Sequence, residues 1–465
     1  MDLIFPMPTA KKPAVSAKKP ATEAERPKKA LQPISLVRGM KDILPVDQPV
    51  WQRMRALARE LSDAYGFERL DTPILEETGL FVRGVGKQTD IVEKELYSFE
   101  TVGGDLVSLR PEGTAPAVRA YIQHGMFNQP QPVKFSYVGP MFRHDRPQHG
   151  RYRQFQQFGC EAIGDINPIV DAQLILLSWL FLKELGIHAT VQLNSIGTPE
   201  SRVAYKNALV AYFRNHRAAL SEEDKKRLLK NPMRLLDSKE PGMAEIKAGA
   251  PQMLDHLDDA SRAHFTRVVE YIEELGIPFQ INPHLVRGLD YYTHTVFEWY
   301  ADTADQDLAQ SSIGGGGRYN GLVEALGGRP TPAAGFAMGL DRIFHLVKEK
   351  QGNVQEAELR KVDVFVAQLG DQGRKKALVM FEELRAAGIR VGEAFSKDAI
   401  KAQMEVANRR GARYAVVIGQ KEVLEGTAVV RDMDSGTQEV MNARRVAGEL
   451  RRKLGMPALE SDQKA

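Results

Sequence analysis

The chain is most informative from Phe142 to Glu161, where it reads FRHDRPQHGRYRQFQQFGCE. Four arginines surround the Pro-Gln-His-Gly centre of this stretch, namely Arg143, Arg146, Arg151 and Arg153. Every second residue from Phe155 onward shares one face of a β-strand, and that face ends in the carboxylate of Glu161. The pattern therefore predicts strand, basic loop, strand, a hairpin that can hold a polyphosphate beside a cationic group.

The arginines also allow a plainer interpretation, a solvated basic turn. Against it, Arg143 directly follows the apolar residues Pro140-Met-Phe142, where a lone exposed charge is not expected. An arginine presents a fixed fork of N–H donors that matches a phosphate group, and the loop from Arg146 to Arg151 can reach the end of a nucleic acid. On residue chemistry alone, a phosphate or RNA site and a solvated turn both stay open.

The preceding segment, Ser108-Leu-Arg-Pro-Glu-Gly-Thr-Ala115, leads from a predicted strand into a predicted helix. Glu112 and Thr114 lie two positions apart at this junction. In the first turn of a helix, a carboxylate meets the positive end of the helix dipole, and a side-chain oxygen caps backbone N–H groups. The spacing alone therefore favours two capping residues over two ligands.

A later segment, Leu285–Glu298, places Arg287 beside a glycine and contains two adjacent tyrosines. We predict strands over 279–286 and 291–299, so that Tyr291 and Tyr292 point to opposite faces. A tyrosine in a strand is usually a core residue. An arginine on a buried strand is harder to explain that way, because an unpaired buried charge is costly.

Two further segments are rich in small residues. Gly314-Gly-Gly-Gly-Arg-Tyr-Asn320 allows either close backbone approach to a ligand or a flexible turn. It is not a P-loop, because no Lys-Ser/Thr follows, and its glycine spacing is not that of a dinucleotide fingerprint. Ala333–Phe344 predicts a strand packed tightly into a helix with Arg342 in the first turn, which alone is equally an ordinary buried element. An ATP site in this chain would therefore use arginines on strands.

Bulk composition limits the classes of protein to consider. The chain has 465 residues, 43% hydrophobic and 26% charged, as expected for a soluble globular protein of about two to four domains. No apolar run approaches the ~20 residues of a membrane span. Cys160 is the only cysteine, which excludes an intrachain disulfide and indicates a reducing compartment. Residues 1–34 carry seven Lys/Arg and three acids, a charge of +4, so the formal +3 leaves −1 for the rest.

The pattern of elements divides the chain into several regions. Residues 1–33 are rich in Lys, Ala and Pro without apolar periodicity, which predicts a disordered basic arm. A strand-rich domain follows at 34–350, beginning with a helix over 51–65 and a strand over 67–75, and a helical insertion interrupts it at about 198–276. Residues 361–456 alternate strands with helices, which predicts a small α/β domain. A flexible tail is expected at 457–465.

Together and in this order, the segments resemble those of the class II aminoacyl-tRNA synthetases, and among them the histidyl-tRNA synthetases. The resemblance covers about residues 34–455. Arg38–Pro45 resembles the family's opening signature, Phe67–Pro73 motif 1, Phe142–Glu161 motif 2, Gly335–Arg342 motif 3, Leu285–Thr293 and Gly315–Leu322 the two histidine motifs, and Asn231–Lys239 a segment of the insertion. The implied fold is an α+β catalytic domain built on an antiparallel sheet with a helical insertion, followed by a small α/β anticodon-binding domain.

The resemblance also implies roles for particular residues. Glu112, Gly113 and Thr114 would hold the amino group of histidine, with Gln157, Glu161, Tyr291, Tyr292 and Tyr319 completing its pocket. Arg287 and Arg143 would be catalytic, Arg287 near the histidine carboxylate and the α-phosphate. Arg143, Arg151 and Arg342 would bind ATP, with Arg143 at the α-phosphate and Arg342 at the γ-phosphate. Arg146 and Gln148 would contact the extra 5′ guanosine of the tRNA.

The implied reaction is ATP-dependent ligation of L-histidine to tRNA(His) through a histidyl-adenylate, with Mg²⁺ and without metal-binding protein side chains. A cytoplasmic homodimer without membrane association is expected, with motif 1 at the dimer interface. The alternative is a non-catalytic relative such as the regulatory subunit of ATP phosphoribosyltransferase, which shares the fold and senses histidine. Such paralogues lack the C-terminal domain and usually lose parts of the histidine motifs, whereas this sequence contains both.

Overall fold

The computed structural model describes residues 33–457, apart from 88, 147–149, 231, 237–239, 241, 310 and 352–360. The predicted arm at 1–33 and tail at 457–465 therefore lie almost entirely outside the described residues. Gln148 and most of the predicted boundary between the two domains lie outside them as well.

The chain up to residue 351 builds one large sheet, one small sheet and a helical insertion. Its helices are α1 (Gln48–Ala64), α2 (Thr78–Gly84), α3 (Thr114–Gln123), α4 (Pro168–Glu184), α5 (Pro199–Asn215), α6 (Glu222–Lys230), α7 (Met243–Ala248), α8 (Asp259–Glu274), α9 (Gln306–Ala309), α10 (Leu322–Ala325) and α11 (Leu340–Gln351). Its strands are β1 (Glu68–Arg69), β2 (Leu75–Glu77), β3 (Tyr97–Glu100), β4 (Leu106–Leu109), β5 (Val133–Phe142), β6 (Gln154–Ile163), β7 (Ala189–Ser195), β8 (Phe279–Ile281), β9 (Thr293–Ala301), β10 (Gly314–Arg318) and β11 (Ala333–Gly339). Within the described ranges, no helix has both the length and the apolar character to cross a membrane.

The large sheet has the strand order β1-β5-β6-β11-β10-β9-β7-β8. Its inner pairs are antiparallel, and its two edge pairs, β1–β5 and β7–β8, are parallel. The predicted arginine-bearing hairpin is the β5–β6 pair, in register from Val133 opposite Ile163 to Phe142 opposite Gln154. The predicted antiparallel sheet is therefore confirmed.

Helices α1, α4, α8 and α11 cover one face of this sheet with a continuous apolar core. Phe158 on β6 packs against Phe181 and Phe336, with ring centroids 5.0 and 5.4 Å apart. Trp51 on α1 stacks on Phe344 on α11 at 5.4 Å. Burying each such side chain stabilises the fold by about 1.5–3 kcal/mol. Because side chains alternate along β6, the residues on either side of Phe158 lie on the opposite face of the sheet.

A buried ion pair fixes the start of α4 against β10. Arg318 and Asp171 have side chains that are 0% and 1% exposed. Arg318 Nε lies 3.2 and 3.1 Å from the two carboxylate oxygens, and its Nη1 donates to the Asp165 carbonyl at 2.8 Å. His264 of α8 places Nε2 3.4 Å from the same carboxylate, so the pair also contacts the helical insertion.

The predicted continuous strand over 67–75 is wrong. The structure has two short strands there, β1 beside β5 and β2 beside β4, which belong to different sheets. Between them, Arg110 Nη1 donates to the carbonyls of Thr72 at 2.8 Å and Pro73 at 3.4 Å. These carbonyls are satisfied by a side chain from elsewhere in the chain, so the segment has no need of a neighbouring strand.

The strands predicted over 279–286 and 291–299 are also corrected. The first ends at Ile281, and the second begins only at Thr293. Gly317 pairs with Val296 but Arg318 pairs with Thr293, so two residues of β9 bulge, and His294 there has a φ of 48°. The four glycines form the paired strand β10, so the flexible-turn interpretation is wrong.

The insertion consists of α5 to α8 and short turns of 3₁₀ helix at Arg217–Ala219, Pro232–Leu235 and Met253–His256. It has its own apolar core, in which Tyr205, Leu209 and Phe213 are fully buried. The predicted helical character of this region is therefore confirmed.

The last part of the chain forms a separate sheet of order β13-β12-β14-β15-β16. Its elements are β12 (Val364–Gln368), α12 (Gly370–Ala386), β13 (Val391–Glu393), α13 (Ile400–Arg409), β14 (Tyr414–Ile418), α14 (Gln420–Glu425), β15 (Thr427–Asp432), β16 (Gln438–Asn442) and α15 (Val446–Lys453). β12 is parallel to both β13 and β14, as the alternating strands and helices predict, and β15 and β16 extend the sheet antiparallel.

We expect Asp171→Ala to lower the free energy of unfolding of this region by about 3–5 kcal/mol, because it leaves the Arg318 charge buried without its partner. Urea unfolding followed by tryptophan fluorescence measures this directly, since all three tryptophans, Trp51, Trp179 and Trp299, lie in the chain before residue 351. The matched control is Asp63→Ala, because the Arg59–Asp63 pair is 83% and 63% exposed and contributes under ~1 kcal/mol. Equal losses in both variants would contradict the importance of the buried pair.

Candidate active site

A cavity of about 540 Å³ opens beside the face of the large sheet opposite the core helices. The structure brings to its wall most of the side chains predicted from the sequence, namely Glu112, Thr114, Arg143, Arg151, Gln157, Arg287, Tyr291, Tyr292 and Arg342. These residues come from four separate segments of the chain, at 112–114, 143–157, 287–292 and 342. Their convergence requires the β6-β11-β10-β9 part of the sheet to be correctly ordered.

Glu161 is a fully buried carboxylate behind this wall. It accepts hydrogen bonds from Thr114 Oγ1 at 2.7 Å, from the Tyr137 hydroxyl at 3.0 Å and from the Tyr319 hydroxyl. Burial raises the pKa of Glu161 to about 8, although the hydroxyl donors favour its charged form. Near neutral pH, Glu161 therefore exchanges a proton readily when a cationic group approaches.

Glu112 makes the capping contacts that its spacing predicts. Its two carboxylate oxygens accept from the backbone N–H groups of Thr114 and Ala115, each at 2.8 Å, at the start of α3. Burial raises the pKa of Glu112 above its usual range. The Tyr291 hydroxyl lies 3.5 Å from the same carboxylate. Capping uses the carboxylate without removing it from the cavity wall, so its ligand role stays a prediction.

Gly113 makes room for an aromatic ring. A Cβ at Gly113 would lie 2.3 Å from the Tyr137 ring, and a Cβ at Gly159, which is opposite Tyr137 in the β5–β6 register, would lie 2.4 Å from it. Tyr137 was not recognised from the sequence. The glycine opposite it in a predicted hairpin is the one signal that could have found it.

The tyrosines form one aromatic cluster. Tyr291 and Tyr292 are both buried, with ring centroids 4.7 Å apart, and Tyr319 lies 5.5 and 6.4 Å from them. The prediction that Tyr291 and Tyr292 point to opposite faces of a strand is therefore wrong, because both precede β9 and lie in a turn. The cluster is an apolar wall beside the two buried carboxylates.

Arg287 is partly buried beside these rings. Its Nη1 donates to Glu298, and its guanidinium lies over the Tyr292 ring at 5.4 Å. Burial acts to lower the pKa of Arg287, but the charge of Glu298 and the two tyrosines outweigh it and raise the pKa above its usual value. Its Nε is buried and has no hydrogen-bond partner among the described residues.

Two further arginines, Arg143 and Arg342, line the cavity near each other. Arg143 donates through Nε to the Pro111 carbonyl at 2.9 Å and lies over the Phe155 ring at 5.3 Å. Arg342 donates to the Ser312 carbonyl. Burial, followed by the neighbouring charges of Arg151 and Arg143, lowers the pKa of Arg342 to about 10. Mutually repelling arginines of this kind are stabilised by a bound anion.

The loop residues differ from these. Arg151 is 43% exposed and donates to Asp145 at 3.2 Å, still at the cavity wall. Arg146 is exposed and does not line the cavity, and Gln148 lies outside the described residues. The predicted contact of these two with tRNA stays a prediction.

The sequence did not identify six charged residues that also line the cavity, namely Asp90, Glu95, Asp145, Arg227, Glu298 and Asp341. Arg227 comes from α6 in the insertion, where it pairs with Glu223 at 2.7 Å and Asp224 at 3.1 Å. Glu298 alternates with apolar residues along β9. This alternation is the one sequence feature that could have identified Glu298 as a candidate site residue. Glu95 and Arg227 reach the site only through the tertiary fold, which local spacing does not reveal.

Comparison with known proteins finds relatives that match this fold. A family model described as histidyl-tRNA synthetase matches residues 39–343, and one described as anticodon binding domain matches residues 363–453. The crystal structure of apo S. aureus histidyl-tRNA synthetase is similar at 36% identity with a TM-score of 0.74, covering 90% of this chain and 99% of that one.

Two more distant structures share the fold alone. The histidyl-tRNA synthetase from Nostoc sp. PCC 7120 is 22% identical with a TM-score of 0.60, covering 91% of this chain and 100% of that one. An ATP phosphoribosyltransferase regulatory subunit/histidyl-tRNA synthetase from Bacillus halodurans C is 22% identical with a TM-score of 0.58, covering 83% and 99%. From the family models and the S. aureus relative, the chain belongs to the histidyl-tRNA synthetase family.

Proposed function

We propose that the protein ligates L-histidine to tRNA(His) at the expense of ATP, through a histidyl-adenylate. The observation that carries the proposal is that one cavity brings together the carboxylate of Glu112, with the buried carboxylate of Glu161 behind its wall, and the guanidinium groups of Arg143 and Arg342. Such a cavity suits an amino acid with a cationic end and a nucleotide with an anionic end. The family membership narrows the amino acid to histidine.

Histidine recognition would use the two carboxylates at the cavity, Glu112 and Glu161. The ammonium group would approach Glu112 and Thr114, and the imidazole ring would meet Glu161 and Gln157. Gln157 Oε1 is buried without a hydrogen-bond partner among the described residues, which leaves an acceptor for a ring N–H. A site built on such hydrogen bonds discriminates strongly against amino acids that lack the ring N–H, because its polar groups would then stay unpaired.

The reaction needs no nucleophile from the protein. A carboxylate oxygen of histidine attacks the α-phosphorus of ATP, the bond to the bridging oxygen breaks, and pyrophosphate leaves with its electron pair. Arg287 and Arg143 would stabilise the charge that develops at phosphorus, with Arg151 and Arg342 holding the leaving phosphates. A hydroxyl of the terminal ribose of the tRNA would then attack the acyl carbon and release AMP.

Mg²⁺ would enter chiefly as a complex with ATP. Among the described residues, no three metal-ligating side chains come together, whereas Mg²⁺ in nucleotide sites is commonly held by phosphates and one or two carboxylates. When bound, it would neutralise phosphate charge alongside the arginines.

The match of residues 363–453 to an anticodon binding domain supports binding of tRNA at two points. The exposed Arg146 and its loop neighbour Gln148 would meet the acceptor end, and the C-terminal sheet would meet the anticodon. A cytoplasmic homodimer is part of the same proposal.

We expect the purified protein to catalyse histidine-dependent ATP–pyrophosphate exchange, and Arg287→His to reduce it by about 10²-fold or more, because a planar charged donor at the reacting centre is lost. Initial rates of pyrophosphate incorporation into ATP, with and without histidine, measure both. Arg385→His is the matched control, since Arg385 forms an exposed pair with Glu382 far along the chain.

Binding of histidine without any exchange by the wild-type protein would instead indicate a histidine-sensing relative. Full activity of the Arg287→His variant would remove its catalytic role while leaving the enzyme assignment intact.

We expect histidine affinity to rise with pH by up to about tenfold per pH unit between pH 6.5 and 7.5. The reason is that Glu161, with a pKa of about 8, is mostly protonated at the lower pH and accepts a charge-assisted hydrogen bond from the ring N–H only when ionised. Binding therefore lowers its pKa and releases a proton. Calorimetry in two buffers of different ionisation enthalpy counts that proton.

Glu161→Gln should flatten the pH profile and abolish the proton release, whereas the exposed Glu324→Gln should leave both as in the wild type. An unchanged profile in the Glu161→Gln protein would assign the titration to another group.

A further inference from the structure

Strand β9 places the carboxylate of Glu298 directly against Arg287. Glu298 Oε1 accepts a hydrogen bond from Arg287 Nη1, and Oε2 accepts one from the Tyr300 hydroxyl at 2.7 Å. The side chains of Arg287 and Glu298 are 15% and 16% exposed, and both line the cavity. The carboxylate is therefore held on one side and holds the arginine on the other.

The other neighbours of Arg287 define the plane of its guanidinium. Tyr292 lies under it at 5.4 Å. Gly315 on β10 is opposite Glu298 in the sheet register, and a Cβ there would lie 2.9 Å from Arg287 Nη1 and 2.4 Å from the Phe297 carbonyl. The glycine thus leaves the space in which the Arg287–Glu298 pair forms.

We propose that Glu298 is a positioning residue for Arg287 in the adenylation reaction, and that Tyr300 fixes Glu298 in turn. This inference rests on the proposed function. A guanidinium has five N–H donors, and the pair with Glu298 engages Nη1. Holding that nitrogen against β9 orients the remaining donors, including the unpartnered Nε, toward the cavity where the histidine carboxylate and the α-phosphate would meet.

Electrostatics favours this role over direct contact with substrate. A carboxylate beside a polyphosphate is unfavourable unless a cation lies between them, and the proposal puts Arg287 in that position. Fixing a long side chain before the substrates arrive also removes part of the entropic cost of reaching the transition state. Glu298 would therefore act on the rate through Arg287 and not on substrate binding.

The test compares Glu298→Gln, Tyr300→Phe, Arg287→His and the Glu298→Gln/Arg287→His double variant in histidine-dependent exchange. We expect Glu298→Gln to lower kcat by about 10²-fold, the effect of a misplacement of about 1 Å, with KM for histidine and ATP changed less than about threefold. Tyr300→Phe should also lower kcat, by about three- to tenfold.

In the Arg287→His background, Glu298→Gln should add less than about a twofold loss of activity, because the two residues act as a unit.

The controls are Glu382→Gln and Tyr212→Phe. Glu382 is in an exposed pair with Arg385, and the Tyr212 hydroxyl donates to the Ile246 carbonyl at 2.8 Å within the insertion. Both variants should retain wild-type kinetics.

Two kinetic outcomes would overturn the positioning role: losses that multiply in the double variant, and an unchanged kcat in Glu298→Gln. Rescue of the Glu298→Gln variant by higher Mg²⁺ would also overturn it, because it would assign Glu298 to a metal. Crystal structures of the wild type and of Glu298→Gln, grown without substrates, give a readout that does not depend on activity. We expect Arg287 over Tyr292 in the first and displaced or without density in the second. An unmoved Arg287 contradicts the inference, whereas a displaced Arg287 in a protein without exchange activity contradicts only the proposed function.

Discussion

The arrangement of the site depends on the buried carboxylate of Glu161. Its three hydroxyl donors come from three parts of the fold, Thr114 at the start of α3, Tyr137 on β5 and Tyr319 after β10. None of these elements can shift without leaving a buried polar group unpaired, at a cost of about 1–3 kcal/mol. A Cβ on Gly335, the residue opposite Glu161 on β11, would lie 1.7 Å from its Oε2, so the carboxylate also requires a glycine in the next strand.

Several ionisable groups at the cavity are buried, and burial disfavours their charged forms. Burial raises the pKa of Glu161 to about 8 and lowers that of Arg342 to about 10, so each is displaced toward its neutral form. A protein that only had to be stable would not bury these groups without a paired opposite charge. The proposed substrates, an amino acid with an ammonium group and a nucleotide with phosphates, would supply the opposite charges. The cost in stability would then be offset when substrates bind.

The sequence predicts those elements whose formation depends on residues close together in the chain. The β5–β6 hairpin follows from alternation and turn residues, and helix α1 agrees with the predicted helix over 51–65 to within a few residues. The candidate site residues stood out because arginines, carboxylates and glycines in apolar surroundings are unusual, and the resemblance to the synthetase motifs supplied their predicted roles. Their assignment to one site needed the order of all the motifs, since no single motif distinguishes a cap such as Glu112 from a ligand.

The remaining features depend on partners distant in the chain. The break between β1 and β2 is satisfied by Arg110, some 37 residues away in sequence from the Pro73 carbonyl. Tyr291 and Tyr292 lie directly before a bulge between β9 and β10. Tyr137 and Glu298 look like ordinary strand residues until the neighbouring strand shows a glycine opposite each, Gly159 and Gly315. Register across a sheet carries this information, and the residues beside them in sequence do not.

The cavity arginines differ in how their charge is balanced, and this difference separates their roles. Burial lowers the pKa of Arg143 and Arg342, so both remain under-compensated and gain from an incoming anion. The pKa of Arg287 is raised instead, because Glu298 balances it from within the protein. An arginine that is already neutralised adds little to the overall attraction for a nucleotide. Its remaining value lies in where its donors point, so the proposed role of Arg287 is geometry at the reacting atoms, whereas Arg143 and Arg342 would also attract phosphate charge.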